Sequence, residues 1–235
     1  MSKRQEMKAK RQNAQRTQSI VTIVIVAVAA ILIVGIIVYP SLKPIGNIVI
    51  PNPITYPQAD KNNLGNPNAP IKVEAFEDFQ CPFCKAYTQG AESIVITNYV
   101  STGKVYYTFT PFSFLDDQAG NTAQESKTAA AAAYCAMDQG KFWQYHDIIY
   151  ANQTGENVGD FTQRRLVAFA GKLGLDTNQF QSCLSSGKYT QQVLTDKAAA
   201  SSKGVNATPY FLVNGKLVDS SGLIQAINDA IGAAK

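Results

Sequence analysis

The chain contains 235 residues, of which 46% are hydrophobic and 16% are charged, so it can bury at least one large core. Its formal net charge of +4 is concentrated before Gln18, where six basic residues accompany one acidic residue. The remainder is close to neutral and does not interleave basic with aromatic residues on one face, which argues against a nucleic-acid-binding domain.

A transmembrane helix is the first predicted element. Residues 20–38 carry no charge, and Thr22 is their one weakly polar member. As a helix they would span about 28 Å, close to the thickness of a bilayer core. An isolated segment in lipid can satisfy its backbone hydrogen bonds only as a helix. The basic residues before it predict a cytoplasmic tail over 1–19, a transmembrane helix over 20–39 and an extracytoplasmic remainder.

A cleaved signal peptide is the alternative explanation of the same pattern. The apolar run is longer than the roughly 7–15 residues of a signal-peptide core. The residues after it, Tyr39-Pro40-Ser41, lack the small side chains of a cleavage site, and no cysteine is present there for a lipid anchor. A retained membrane anchor is therefore the prediction.

Residues 40–66 are predicted to be a linker between the membrane and a domain over 67–235. Proline, asparagine and glycine recur from 41 to 70, and proline breaks helices and central strands. If extended, at about 3.1 Å per residue, such a linker would hold the domain several tens of Å from the bilayer.

The domain begins with the pattern of an α/β fold. A strand over 71–76 leads into a Cys-x-x-Cys motif and a helix from about 82 to 99. An alternating, aromatic-rich strand follows over 104–109. Alanine-rich and amphipathic segments from about 121 to 203 then predict several helices.

Two further strands and a helix are predicted to complete the domain. The strands, 210–213 and 216–218, flank Asn214-Gly215, a pair that favours a two-residue hairpin turn because both residues tolerate positive φ. A last amphipathic helix is expected over about 223–234.

The motif Cys81-Pro82-Phe83-Cys84 stands at the start of a predicted helix. The free N–H groups and the dipole of a first helical turn stabilise a thiolate, which is the nucleophile of disulfide exchange. Pro82 suits this turn because its position needs no backbone donor. Cys84 would lie on the same face but deeper, so the motif predicts that Cys81 attacks or is attacked and Cys84 resolves.

Zinc binding and a static disulfide are the alternatives for this motif. Zinc would need two more ligands, but Cys135 and Cys183 stand alone and His146 is the only histidine, so no metal site is predicted. His146 lies among aromatic residues and is expected to pack structurally. A static bridge between the two cysteines of the motif would close a very short loop and contribute little stability.

A second motif, Ala207-Thr208-Pro209-Tyr210, precedes the hairpin. The order of elements resembles that of the thioredoxin superfamily. One end of the domain has a strand, the Cys-x-x-Cys motif and a helix, and the other end has Thr-Pro, a strand, a hairpin and a helix. More narrowly, the chain resembles the DsbA-like branch of this superfamily over about residues 66–232. Four segments carry this resemblance: NPNAPIKVEAFEDFQCPFCK, QGKFWQYHD, LGLDTNQFQSCL and ATPYFLVNGK.

The resemblance implies an α/β, thioredoxin-like fold with an inserted helical subdomain over about 115–203, preceded by one transmembrane helix. It also implies disulfide exchange by Cys81 and Cys84, with no cofactor beyond this cysteine pair. In the family a cis-proline faces the Cys-x-x-Cys motif. The substrate groove is accordingly expected to be bordered by Pro82, Phe83, Thr208 and Pro209.

Similar proteins often carry a second disulfide in the helical subdomain, and Cys135 and Cys183 are the candidates here. Two such cysteines more often pair than stay free in an oxidising compartment. Closing a loop of this length would contribute about 3–4 kcal/mol by the chain-entropy argument. Two buried free thiols are the alternative.

Two positions depart from the family pattern. The strongly oxidising prototype has a histidine where this chain has Phe83, and relatives often have a buried carboxylate where this chain has Ala75. Strand alternation directs Glu74 to the opposite face, so it is a poor substitute. Glu77 and Asp78 are expected to be solvated surface acids, with a role in proton transfer as the alternative.

The expected function is the oxidation of cysteines in exported proteins to disulfides, with reoxidation by a quinone-linked oxidase in the membrane. The compartment and the resemblance lead to this expectation. A reductase or isomerase fed with electrons from a membrane partner is one alternative. A tethered, non-catalytic thioredoxin-like binding module with two static disulfides is another.

Overall fold

The computed structural model describes residues 3–42, 45–117 and 123–233, which fall into two units, Met1–Gly46 and Asn47–Lys235. The first unit is a helix, α1 (Lys3–Leu42). Its segment Arg16–Ile36 has a mean hydropathy of 3.1, and no other helix in the described residues is long and apolar enough to cross a membrane. A membrane anchor and a signal sequence both satisfy this criterion.

The second unit is built on a five-stranded sheet with the strand order β1-β3-β2-β4-β5. The two central strands, β2 and β3, are parallel, and every other neighbouring pair is antiparallel. The strands are β1 (Asn63–Leu64), β2 (Ile71–Glu77), β3 (Val105–Pro111), β4 (Tyr210–Val213) and β5 (Lys216–Asp219). The predicted strands are therefore all present, and β1 joins them at the edge.

Side chains on both faces of the central strand are buried. Ile71, Val73 and Ala75 alternate towards the main core, whereas Phe76 packs in a smaller cluster on the opposite face with Phe112, Ala200 and Val205. Lys72 and Glu74 alternate with the apolar residues of the first part of the strand, which is why the sequence indicates β2 clearly.

The helix predicted over 82–99 is divided in the structure. It consists of α2 (Pro82–Thr88) and α3 (Ala91–Val95), followed by a π-helical turn at Ile96–Val100. Gly90 lies at the break with φ −132° and ψ −90°, outside the helical region. Glycine tolerates such a conformation because it lacks a Cβ atom.

In the described residues between β3 and β4, five α-helices form the predicted helical subdomain. They are α4 (Glu125–Met137), α5 (Phe142–Ala151), α6 (Gln163–Lys172), α7 (Thr177–Ser185) and α8 (Thr190–Ser202), and α9 (Leu223–Ala233) follows the hairpin. The alanines of α4 are almost all buried, so neighbouring helices can approach its backbone closely. Cys135 of α4 and Cys183 of α7 are joined by a disulfide with a Cα–Cα distance of 5.9 Å.

From residue 47 onward, the segment predicted as a linker over 40–66 is part of the domain and contacts it at separate points. The side-chain amide of Asn152 donates to the Val49 carbonyl at 2.7 Å and accepts from the Val49 N–H at 2.8 Å. Tyr56 is 9% exposed, its ring lies 5.1 Å from that of Trp143, and Leu64 is fully buried. The domain therefore begins near residue 47 and not at 67. A few separate contacts, those of Val49, Tyr56 and Leu64, hold a segment that is otherwise rich in proline.

The hairpin has the geometry that its sequence predicts. Asn214 and Gly215 have φ values of 48° and 86°, both in the left-handed region. In addition, the Asn214 side chain accepts a hydrogen bond from the Lys72 N–H at 2.8 Å, and its own N–H donates to the Lys72 carbonyl. The turn is thus tied to the start of β2 as well as to its own strands.

We predict that the double substitution Cys135→Ala and Cys183→Ala lowers the free energy of unfolding by about 3–4 kcal/mol, because the loop closed by the disulfide spans a sequence separation of 48. Denaturant unfolding monitored by circular dichroism measures the change. The matched control, Cys81→Ser with Cys84→Ser, keeps this disulfide and should unfold near the wild-type midpoint. Equal midpoints for the first variant and the wild type would contradict the prediction.

Candidate active site

Cys81 lies at the N-terminus of α2, directly after the turn that follows β2. It has an extended backbone (φ −73°, ψ 121°), and Pro82 is the first helical residue. The Cys81 N–H donates to the Asp78 carbonyl at 2.9 Å, which closes the turn. Cys81 is 4% exposed, whereas Cys84, one helical turn further, is fully buried. Both cysteines are free thiols in the structure.

The Thr208-Pro209 segment lies against the Cys81 thiol. The peptide bond between the two residues is cis. In its protonated form, Cys81 Sγ donates to the Thr208 carbonyl oxygen at 3.4 Å, although the two residues are 127 positions apart. The Thr208 hydroxyl is buried and has no hydrogen-bond partner among the described residues. The structure thus brings together the two sequence motifs that carried the resemblance.

The groove residues predicted from the sequence differ in exposure. Pro82 and Phe83 are exposed, and 74% of Phe83 is open to solvent. Thr208 and Pro209 are buried beneath this edge. An exposed aromatic ring between two reactive cysteines provides an apolar contact for a chain that approaches Cys81.

The two thiols differ in acidity. The pKa of Cys81 is lowered to about 6, chiefly by a hydrogen bond from the Cys84 thiol; burial opposes the decrease, and the Thr208 side chain and the N–H groups of Cys84 and Phe83 support it. Burial raises the pKa of Cys84 well above its ordinary value, as does its donation to Cys81 and the nearby charge of Glu77. At neutral pH the site therefore holds a thiolate at Cys81 and a protonated Cys84.

Glu77 is a site residue that the sequence prediction placed wrongly. It is fully buried, and Glu77 Oε2 accepts a hydrogen bond from the Tyr150 hydroxyl at 3.0 Å. Burial raises the pKa of Glu77 to about 8, the Tyr150 hydroxyl opposes the rise, and the negative charge of Cys81 adds to it. A protonated carboxyl group consequently lies behind the cysteine pair at neutral pH.

The strand pattern could have located this carboxyl group. Because side chains alternate along β2, Val73, Ala75 and Glu77 project to the same face. The strand extends through Glu77, one residue beyond its predicted end. The carboxylate absent at Ala75 is thus supplied two residues later on the same face, whereas Glu74 lies on the other face and pairs with Lys203 at 2.6 Å.

Asp78 was also expected at the surface, and this expectation is wrong. It is 1% exposed, and burial raises its pKa to about 7. Its carboxylate accepts from the Gln80 N–H at 2.9 Å, from the Ser126 hydroxyl at 2.6 Å and from the Leu115 N–H at 3.1 Å. Asp78 therefore holds the turn before Cys81 against the start of α4.

Gln80 extends the same network around the turn. Its side-chain amide donates to Ser126 Oγ at 2.8 Å and to Asp116 Oδ1 at 3.2 Å. Its side-chain oxygen accepts from the Asn157 N–H at 2.6 Å. Buried polar groups that are all paired fix one geometry, so the position of Cys81 depends on the helical subdomain as well as on the sheet.

Across 3–42, 45–117 and 123–233, no group of three or more His, Cys, Asp or Glu side chains is arranged to hold a metal ion. Near the cysteines, Glu77 Oε2 accepts from the Tyr150 hydroxyl and Asp78 Oδ1 accepts from the Ser126 hydroxyl.

A family model described as Thioredoxin (Thioredoxin_4) matches residues 59–233. The chain belongs to this family, among its DsbA-like oxidoreductases. The oxidised DsbA of Mtb is 29% identical, with a TM-score of 0.57 over 72% of this chain and 88% of that one. BdbD from Bacillus subtilis, also oxidised, is 21% identical, with a TM-score of 0.63 over 80% of this chain and all of that one. The predicted fold class is confirmed.

Two kinds of curated relatives match the chain. The probable disulfide bond formation protein D of Bacillus anthracis is 28% identical over 212 residues, which cover 87% of this chain and 93% of the relative. The Na(+)/H(+) antiporter NhaA 1 of Salinispora arenicola is 28% identical over 176 residues, but this chain spans only 25% of its length. The match to the antiporter is thus partial and carries no argument about transport.

We predict that iodoacetamide modifies Cys81 of the reduced protein with a midpoint near pH 6, because its pKa is lowered to about 6, while Cys84 stays unmodified. Mass spectrometry after timed labelling measures both sites. Cys84→Ala removes the main hydrogen bond to the thiolate and should move the midpoint to higher pH. A wild-type midpoint near the ordinary value of 9.0 would contradict the prediction.

Proposed function

We propose that this protein is a thiol-disulfide oxidoreductase that oxidises cysteines of exported proteins and is held at the extracytoplasmic face of the membrane by α1. The observation that carries the proposal is the pairing of an acidic Cys81 thiol with a buried, protonated Cys84 beside cis-Pro209. A low Cys81 pKa stabilises the dithiol form and so makes the disulfide form a stronger oxidant.

The first step begins with the Cys81–Cys84 disulfide. A substrate thiolate attacks Cys81 Sγ, the bond between the two cysteines breaks, and Cys84 leaves as a thiolate. Because Cys84 is fully buried, its charge is costly, and it takes a proton. Glu77 is the donor, since its carboxyl group is protonated at neutral pH and interacts electrostatically with Cys84.

The second step releases the product. A second thiolate of the substrate attacks the substrate sulfur of the mixed disulfide, and Cys81 leaves as a thiolate. A thiol of low pKa is a good leaving group, so the environment of Cys81 favours this direction. The pair of cysteines holds the two electrons, and no further cofactor takes part. A quinone-linked oxidase in the membrane then restores the disulfide.

Substrate binding is assigned to the groove bordered by Pro82, Phe83, Thr208 and Pro209. Proline has no backbone donor, and Thr208 presents its backbone next to Cys81. The exposed ring of Phe83 offers contact to apolar side chains of a partly unfolded protein. A groove that binds backbone and unspecific apolar groups suits many cysteine-containing substrates. The likeness to the disulfide bond formation protein D relatives supports this assignment.

We predict that the Cys84→Ser variant accumulates mixed disulfides between Cys81 and exported proteins. Without the Cys84 thiol, the enzyme cannot resolve such a mixed disulfide by attack on Cys81. Non-reducing gel electrophoresis of whole cells, followed by mass spectrometry of the adducts, detects them. Cys81→Ser is the matched control and should trap nothing. A binding module with two static disulfides would give no adducts from either variant, and that result would overturn the enzymatic proposal.

The direction of electron flow is tested by the reduction potential of the Cys81–Cys84 pair. We predict a value above the about −270 mV of thioredoxin, in the direction of the about −120 mV of strong oxidants, because the lowered pKa of Cys81 stabilises the dithiol form. Equilibration with glutathione buffers and quantification of free thiols gives the potential. A value near about −270 mV would instead assign the protein to the reductases or isomerases.

The membrane topology is tested on the intact chain. We predict that the protein stays in the membrane fraction after an alkaline carbonate wash, keeps its full mass, and loses its domain to protease added outside the cell. The double substitution Val26→Lys and Val28→Lys should abolish retention, because each charge at a helix centre costs about 2.5–3.5 kcal/mol on insertion. Loss of the first 40 or so residues from the mature protein would identify a cleaved signal peptide instead.

A further inference from the structure

Glu92 of α3 and His146 of α5 form a buried pair behind the cysteine site. Glu92 is 2% exposed and His146 is fully buried. Glu92 Oε1 lies 3.8 Å from His146 Nε2, and neither atom has a hydrogen-bond partner within the described part of the chain. Buried polar atoms are almost always paired, so two facing unpaired atoms on a carboxyl group and an imidazole need an explanation.

The second nitrogen of His146 connects this pair with the edge of the domain. His146 Nδ1 lies 3.1 Å from Asp147 Oδ1. The same oxygen accepts a hydrogen bond from the Tyr56 hydroxyl at 2.5 Å. The Asp147 side chain is 9% exposed and therefore reaches solvent. A series of groups that can carry protons thus runs from Glu92 through His146 to the surface.

At the other end the pair adjoins Glu77. The Tyr150 hydroxyl donates to Glu77 Oε2, and the Tyr150 ring lies 4.9 Å from the His146 ring. Burial raises the pKa of Glu92 well above its usual range, and the charges of Glu77 and Asp147 add to the increase. The two buried carboxyl groups therefore interact, and a proton on one affects the other.

The groups that surround the pair come from every element packed against it. Tyr87 of α2 and Tyr107 of β3 interact with the charge of Glu92, and their hydroxyls are 3.2 Å apart. Apolar rings enclose the imidazole on its remaining sides: Phe79, Phe109 and Trp143. The ion pairs of Glu92 and Asp147 among the described residues are with His146.

Glu77 needs a proton supply that does not pass the substrate. It is fully buried, and the exposed residues next to Cys81 are Pro82 and Phe83. In a mixed disulfide the substrate covers these residues. The proton that Glu77 gives to Cys84 must then be replaced from within the domain.

We propose that Glu92 and His146 form a buried proton site that resupplies Glu77 from the rear of the domain, with Asp147 as its opening to solvent. The inference rests on the disulfide exchange proposed above. When the Cys81–Cys84 bond breaks, Cys84 takes the Glu77 proton, and Glu77 becomes a carboxylate. A proton from the Glu92–His146 pair neutralises it, and the pair regains a proton from solvent beside Asp147. No oxidant or reductant beyond the substrate thiols is involved.

The protonation state of His146 can be read directly, because the chain contains one histidine. The full-length protein in lipid nanodiscs is labelled with ¹⁵N-histidine, and the two imidazole nitrogen signals are followed with pH in the oxidised and reduced states. Alkylation of free thiols confirms the state of Cys81 and Cys84 in each sample. Failure of the cysteines to change state would contradict the proposed function and is separate from the result for His146.

The expected result is that the pH at which the His146 signals respond to ionisation of Glu77 differs between the two redox states. Burial raises the pKa of Glu77 in both states, and the Cys81 thiolate, present only in the reduced state, adds to the rise. Glu77→Gln should remove this difference. Glu74→Gln is the matched control, because it lies on the opposite face of β2, and should retain it. Superimposable curves in wild-type protein whose cysteines have changed state would overturn the proposal.

A kinetic comparison separates proton supply from a merely structural role. Single-turnover oxidation of a dithiol peptide, which covers the site, is compared with oxidation of dithiothreitol, which leaves it open. Glu92→Gln should slow the peptide reaction about tenfold or more, the lower range of general acid–base effects, and leave the small thiol reaction nearly unchanged. Equal slowing of both reactions, or of neither, would refute the rear proton path. Glu74→Gln again serves as the control.

Discussion

The opposite shifts in acidity of two buried thiols one helical turn apart are the constraint on which the site depends. Cys81 is the residue that precedes the first turn of α2, where backbone N–H groups and the Thr208 side chain stabilise a negative charge on its sulfur. Cys84 lies inside the core, where a charge is costly and the proton is retained. The protonated Cys84 thiol donates a hydrogen bond to Cys81. The burial of Cys84 therefore lowers the pKa of Cys81. Remote anchors such as Asp78 matter because they fix this turn.

A buried acid beside the pair follows from the same electrostatics. A Cys81 thiolate and an ionised Glu77 in one enclosed site would repel each other, and the rise in the Glu77 pKa expresses this repulsion together with burial. The site therefore tends to hold one negative charge at a time, and proton movement accompanies each change in the disulfide. The Cys81 thiolate is stabilised even though Phe83 stands in place of a histidine, because its main stabilising interaction is the hydrogen bond from Cys84.

The sequence predicted the parts of the fold whose cause is local. Alternation located β2 and β3, and Asn214-Gly215 located the hairpin, because each signal depends on neighbouring residues. The packing of residues 47–66 could not be predicted from local patterns. Tyr56 bonds to Asp147 and Val49 bonds to Asn152, each about a hundred positions away. The burial of Glu77 and Asp78 escaped prediction for a related reason. Acidic residues usually face solvent, and the elements that enclose these two come from the distant helical subdomain.

One helix joins the features that local patterns could not reveal. In α5, Trp143, His146 and Tyr150 follow the three- and four-residue spacing of a single helical face. The ring of Trp143 packs against that of Tyr56, so the segment that begins near residue 47 contacts the same helix that reaches Glu77. An aromatic helix that appears from composition to be simple core packing thus has two further duties. It positions a buried acid behind the cysteines, and it provides the residues through which that acid communicates with the domain edge.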